Sequence, residues 1–122
     1  MGKNKHIEED NQNNITLFFR LNGGITIDTD VMSGLKFVNT PAKRIGFIAG
    51  HNRKGYTKGQ PDLIVLINGQ VLFIECKSDT GRQSPEQKIV QEKITQQGFE
   101  YVIFRDVNDA EKWLENHKKY QK

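Results

Sequence analysis

The chain has 122 residues, 35% of them hydrophobic and 27% charged, with a formal charge of +3; that length suits one domain over 1–122, a sheet and a few helices around a modest core. The mild basicity permits a polyanion partner without demanding one, and no run approaches the ~18 apolar residues of a membrane span. The polar start MGKNKHIEED is no signal peptide and the lone Cys76 cannot close an internal disulfide, so a cytoplasmic protein without a membrane partner is expected.

Ile7, Ile15, Phe18 and Phe19 recur at helical spacing and Asn22-Gly23-Gly24 stops them, which predicts a helix from about Ile7 to Leu21. Asn11, Asn13 and Asn14 make its middle a poor helix former. Ile25-Thr26-Ile27 reads as a short strand. Leu35-Lys36-Phe37-Val38 and Ile45-Gly46-Phe47-Ile48 each read as a short strand on either side of the Thr40-Pro41 break. A Gly-rich basic loop from His51 to Gly59 follows.

From Asp62 the pattern sharpens. Leu63 to Ile67 and Val71 to Cys76 are two apolar runs around Asn68-Gly69, a strong two-residue hairpin signal. Both runs carry apolar residues on both faces, so helices are expected on both sides of the sheet. Ser84-Pro85-Glu86-Gln87 has the form of an N-cap and capping box, opening a helix to about Gln97 with Ile89, Val90 and Ile94 inward and Gly98 as its stop. Phe99 to Arg105 is a further strand. Asn108, with Glu111 three residues on, caps a last helix carrying Ala110, Trp113 and Leu114. The order is α-β-(β)-β-β-α-β-α, an α/β class with a mixed central sheet flanked by helices.

The hairpin places the acids. With Asn68 and Gly69 as loop residues, Asp62 falls directly opposite Glu75, and the strand period of two returns Lys77 to the same face. Opposed like charges destabilise a sheet, and three arrangements relieve them: a shared proton, an ion pair with Lys77, or a bound Mg²⁺ or Mn²⁺. The last would serve metal-assisted attack of water on a phosphodiester. A structural ion-pair cluster at the sheet's end is the plain alternative. His51, Arg53, Lys54 and Lys58 lie in a loop running into the Asp62 strand, with glycines for close approach, and are candidate phosphate contacts. Tyr56 is a candidate to stack on an unpaired base, and Arg82, before the Ser84 helix, is a further phosphate candidate.

Asp62 followed after a hairpin by Glu75-Cys76-Lys77 resembles the PD-(D/E)XK phosphodiesterase signature, with Pro61 in place. More narrowly, Gly59-x-Pro61-Asp62-Leu63, Ile74-Glu75-x-Lys77, Gly81-Arg82 and Ser84-x-x-Gln87 resemble the VRR-NUC branch, the virus-type replication-repair nucleases. The resemblance runs from about residue 59 to 110, is weaker over the first helix and poor over 28–58. It implies a restriction-endonuclease-like core and a Mg²⁺- or Mn²⁺-dependent nuclease of the small stand-alone phage or bacterial type. In that reading Asp62, Glu75 and the Cys76 backbone carbonyl bind the metal, and Lys77 is the catalytic lysine. Gln87 is the catalytic-motif glutamine, holding Lys77 or the attacking water. The first helix supplies a glutamate toward the metal, Glu8 by spacing, with Glu9 the alternative. The implied substrate is branched DNA such as Holliday junctions or flaps, cut by a homodimer. Rival readings are a sequence-specific restriction-type endonuclease and a non-cleaving DNA-binding module. Plain roles stand beside these: Gln87 as a capping residue, Glu8 and Glu9 as first-turn acids, Cys76 and Trp113 as core.

Overall fold

The computed structural model describes residues 2–29 and 38–118. Along them run α1 (Gly2–Leu21), β1 (Ile25–Asp28), α2 (Pro41–Arg53), β2 (Leu63–Ile67), β3 (Gln70–Cys76), α3 (Pro85–Gln96), β4 (Glu100–Phe104) and α4 (Val107–Lys118). Asn68 and Gly69 both hold positive φ, 54° and 76°, which is the backbone that a tight hairpin turn demands and Asn-Gly accepts. The turn sets the register: Ile67 pairs Gln70 and Leu63 pairs Ile74. Continued by one residue, that ladder sets Asp62 against Glu75, as the sequence predicts.

The strand order is β1-β2-β3-β4, with the first two pairings antiparallel and β3–β4 parallel. The parallel pair needs a crossover, which α3 provides. Leu63, Val65, Ile67, Leu72, Ile74 and Cys76 point to one face and are buried with Ile15 and Phe19 of α1 and Ala110, Trp113 and Leu114 of α4. The Phe19 ring stacks on Phe104 and meets Trp113 edge-on. The mixed α/β architecture expected from the sequence is thus present, with its core between the sheet and the α1–α4 pair.

Five local expectations are corrected. Ile45–Ile48 is helical, inside α2. The Thr40-Pro41 break is a helix start: Thr40 Oγ1 accepts the Lys43 N–H at 3.3 Å, and proline takes the first turn, where no N–H is needed. The companion strand at Leu35–Val38 lies outside the described residues except Val38, which is irregular, and His51 to Arg53 close α2 instead of opening the loop. Ile89 does not turn inward but is 53% exposed, and α3 buries none of its residues fully. One face of the sheet is therefore thickly covered, and among the described residues the other has α3 alone. Finally, α4 starts one residue before Asn108: Asp106 Oδ1 takes the Asp109 N–H, and Asp109 reaches back to the Arg105 N–H. Asp106 is the better placed cap because it directly precedes the helix.

Candidate active site

Two strands and two helix ends meet around the opposed acids. Asp62 is held from its own side of the sheet, where the Thr29 N–H donates to the Asp62 carbonyl, Gln60 Nε2 to Thr29 O, and Thr29 Oγ1 to Pro61 O. Its carboxylate Oδ2 accepts the Cys76 N–H at 2.8 Å. Glu75 comes from the middle of the sheet and is 2% exposed. One of its oxygens, Oε2, accepts Gln87 Nε2 at 2.8 Å and faces Lys77 Nζ at 3.7 Å. The other, Oε1, is buried and meets no N–H or O–H donor among the described residues.

The two carboxyls lie within hydrogen-bonding reach, and their environment resists a second charge. Burial, then the Asp62 charge, pushes the Glu75 carboxyl up to about 9; burial also raises Asp62, against the Cys76 N–H and Lys77, which lower it. The charge on Lys77 offsets this only partly. A bound cation would relieve a cost of this kind. The fit is good for a hard divalent ion. Two carboxylates and a main-chain carbonyl are an oxygen set that Mg²⁺ or Mn²⁺ accepts while keeping waters, and Glu75 Oε1 is an acceptor without a partner. Among the described residues no group of three or more His, Cys, Asp or Glu side chains forms a ready cage. Asp62 and Glu75 would be the carboxylate ligands.

The neighbouring cavity, about 220 Å³, is lined by Glu8, Glu9 and Gln12 of α1 with Asp62, Glu75, Cys76, Lys77 and Gln87. Both candidate glutamates of the first helix therefore reach it. Glu8 goes further: its Oε1 takes the Ser78 N–H at 3.4 Å, and its charge raises both Asp62 and Glu75. Gln87 caps its helix and also reaches into the site. Its main-chain N–H goes to Ser84 Oγ and its Oε1 accepts the Ser84 N–H, completing the capping box, while Nε2 holds Glu75. Its partner is Glu75, where the resemblance suggested Lys77 or water. The Cys76 thiol is buried and pushed well above its ordinary range, which leaves it inert.

The basic candidates divide. His51, Lys54 and Tyr56 line a separate cavity of about 300 Å³ with Gly55 and Gln60. There His51 Nδ1 bonds Phe47 O and its ring stacks on Phe47. Arg53 is exposed at the end of α2, and Arg82 is exposed before α3. Lys58 is 3.1 Å from Glu86. Gly59, with φ +88°, packs so closely on α3 that a Cβ would sit 2.5 Å from the Glu86 carbonyl carbon. Lys58 and Gly59 thus tie the approach to Asp62 onto the helix that carries Gln87. Ser78, buried with an unpartnered hydroxyl, Gln12 and Arg105 were not flagged by sequence.

Comparison with known proteins agrees. The model of the VRR-NUC domain family matches residues 34–107. A solved structure described as a VRR_NUC domain superposes with a TM-score of 0.62 at 20% identity, covering 89% of this chain and 95% of its own. Another, a VRR_NUC domain protein, has a TM-score of 0.52 at 23% identity, covering 69% and 68%. None of the curated proteins matches. At these identities the solved structures speak for the fold, whereas the family model spans well over half of the chain. This chain belongs to the VRR-NUC family and carries a nuclease-type domain.

Proposed function

We propose that the protein is a divalent-metal-dependent DNA nuclease, selective for branched DNA such as Holliday junctions or flaps. The observation that carries the reading is the pairing of half-buried Asp62 with buried Glu75, with Glu75 Oε1 unpartnered among the described residues and Lys77 and Gln87 on Oε2. Asp62, Glu75 and the Cys76 carbonyl would hold Mg²⁺ or Mn²⁺, with Glu8 at the cavity wall. When bound, the ion supplies charge to the phosphoryl oxygen and acidifies a water. Gln87 orients Glu75. The Lys77 ammonium, on a side chain 12% exposed, holds the attacking water or steadies charge developing on the phosphate.

His51, Arg53, Lys54, Lys58 and Arg82 are proposed contacts to DNA phosphates, with Tyr56 a platform for an unpaired base. Lys58 must leave Glu86 to act so. Shape recognition suits a chain whose described residues contain no separate base-reading element. Cutting both strands of a symmetric junction calls for two sites, hence a homodimer. Exposed apolar residues on β1 (Ile25, Ile27) and α2 (Ile45, Ile48) are surface available for it. None of the helices described is long and apolar enough to cross a membrane.

The test is cleavage of labelled four-way junction, flap, duplex and single-stranded DNA with Mg²⁺, Mn²⁺ or EDTA, by the native chain and by Glu75→Ala and Lys77→Ala. Metal-dependent cutting that favours branched DNA and disappears in both variants is expected. Binding without cutting under every metal would leave a DNA-binding module. Cutting of duplex at one sequence would indicate a restriction-type enzyme.

A further inference from the structure

Immediately after Lys77 the chain makes a turn over Ser78–Gly81, closed by the Gly81 N–H on Ser78 O at 3.1 Å. Its carbonyls converge on one cation. Arg105 Nη1 donates to Ser78 O at 2.6 Å and to Gly81 O at 2.8 Å, and lies 3.4 Å from Asp79 O. Arg105 itself is fixed from two helices. Its carbonyl accepts Asn11 Nδ2 at 2.5 Å, a donor that also lies 3.5 Å from Lys77 O, and its N–H goes to Asp109 Oδ2 at 2.8 Å. On the adjoining strand end, Lys77 N–H bonds Phe104 O at 3.0 Å.

The opposite side of the turn is a wall of the site. Ser78 N–H donates to Glu8 Oε1, and a Cβ on Gly81 would stand 2.9 Å from that same oxygen and 3.3 Å from Lys77 Cδ. Carbonyl oxygens gathered at one point repel one another unless a cation joins them. Without it the turn keeps only the Gly81 N–H on Ser78 O and the Ser78 N–H on Glu8, so its inner surface is held less firmly against Lys77 and Glu8. Loops of this kind, short of buried apolar contacts, are the first to open.

We infer that Arg105 is a positioning residue for the reaction proposed above: by drawing together the carbonyls of Ser78, Asp79 and Gly81 it holds Lys77 and Glu8 in place. It touches neither substrate nor metal and acts through the turn. The use made of that placement rests on the nuclease reading; the placement itself does not.

Arg105→Met and Arg105→Lys separate the possibilities, with Arg20→Met as a control, since Arg20 bonds Thr26 Oγ1 at the far end of α1. A lysine ammonium brings donors to the same carbonyls, whereas methionine brings none. The readouts are kcat and KM on whichever DNA the native chain cuts, and the amide resonances of Ser78 and Gly81. A displacement of order 1 Å costs about 100-fold in rate. The expected result for Arg105→Met is a fall in kcat of about 10- to 100-fold with KM unchanged. The Ser78 and Gly81 amides shift while those of Val65 and Leu72 stay. Arg105→Lys recovers most of the rate, and Arg20→Met keeps all of it. Native kcat in Arg105→Met, unmoved Ser78 and Gly81 amides, or an equal loss in Arg20→Met would overturn the inference. If the native chain cuts none of the substrates, the nuclease reading fails on its own, and the amide shifts still decide whether Arg105 sets the turn.

Discussion

The two faces of the β2–β3 hairpin are built from alternate residues of the same strands and are used in opposite ways. Leu63, Val65, Ile67, Leu72, Ile74 and Cys76 are buried against α1 and α4. On the other face Ile64, Leu66, Val71 and Phe73 are only half-buried under α3, and Asp62 and Glu75 share it. Because the side-chain period is two, a slip of one residue would send both acids into the dry face and the core leucines outward. The dry face makes that slip prohibitively costly, and so it holds in register two carboxyls that repel. Stability is concentrated on one face, and the face with the charges is left free to be destabilised.

The sharpest way to break this comparison is to remove a charge from the acid face. Lys77→Met is expected to lower the cleavage rate by on the order of 10²–10⁴-fold, the usual contribution of a well-placed catalytic group, while the thermal midpoint stays within a degree or two (about 0.5 kcal/mol or less). A large drop in midpoint would mean that Lys77 is a structural ion-pair partner of Glu75. On the dry face the pattern should invert. Leu72→Ala removes a fully buried side chain and should cost about 2–5 kcal/mol in urea unfolding. The residual folded fraction should cut DNA at the native rate.

How far this division could be read in advance depended on whether a local signal had a long-range consequence. Asn68-Gly69 fixes one turn, and that turn alone sets Asp62 against Glu75, so the centre of the site was legible from two residues. Ser84-x-x-Gln87 announced a helix start, but only the folded chain shows the Gln87 amide on Glu75. α2 is not legible in the sequence because Ile45 and Ile48 stand exposed on a helix that packs against none of the other described helices or strands, so burial leaves no helical stripe. Asn11 looked like a helix breaker and is a tertiary donor to Lys77 and Arg105 carbonyls. Arg105 carried no signal because its partners are main-chain oxygens 24 to 27 positions away, and a carbonyl has no residue type.

A titration probes the acid face without mutation. The Glu75 carboxyl is raised from 4.5 to about 9 in the folded protein, so the fold binds a proton there more tightly than the unfolded chain does. The stability this provides is complete below about pH 4.5 and is lost as pH climbs through about 9. In EDTA, the unfolding free energy should therefore decline across that window, and Glu75→Gln should flatten the decline. Mg²⁺ or Mn²⁺ should flatten it too, since a cation on the pair favours the charged form. An unchanged slope with metal would argue that the pair holds a proton as its permanent occupant.

The smallest expected effect is at Ser84, where the acid face meets its one covering helix. Ser84 Oγ takes the Gln87 N–H at 3.1 Å and the Ser84 N–H goes to Gln87 Oε1 at 2.8 Å. Ser84→Ala removes the first bond and should cost about 1 kcal/mol, as N-cap losses do. If the cap served stability alone, the cleavage rate would not follow. Here the same glutamine side chain is held by Oε1 at the cap and by Nε2 on Glu75, so loosening one end frees the other. Ser84→Ala should therefore slow cleavage several-fold at temperatures where the variant is fully folded, and Ser84→Asp, which can still cap, should restore the rate. A rate that tracks only the folded fraction would place Gln87 with the scaffold and confine the chemistry to Asp62, Glu75 and Lys77.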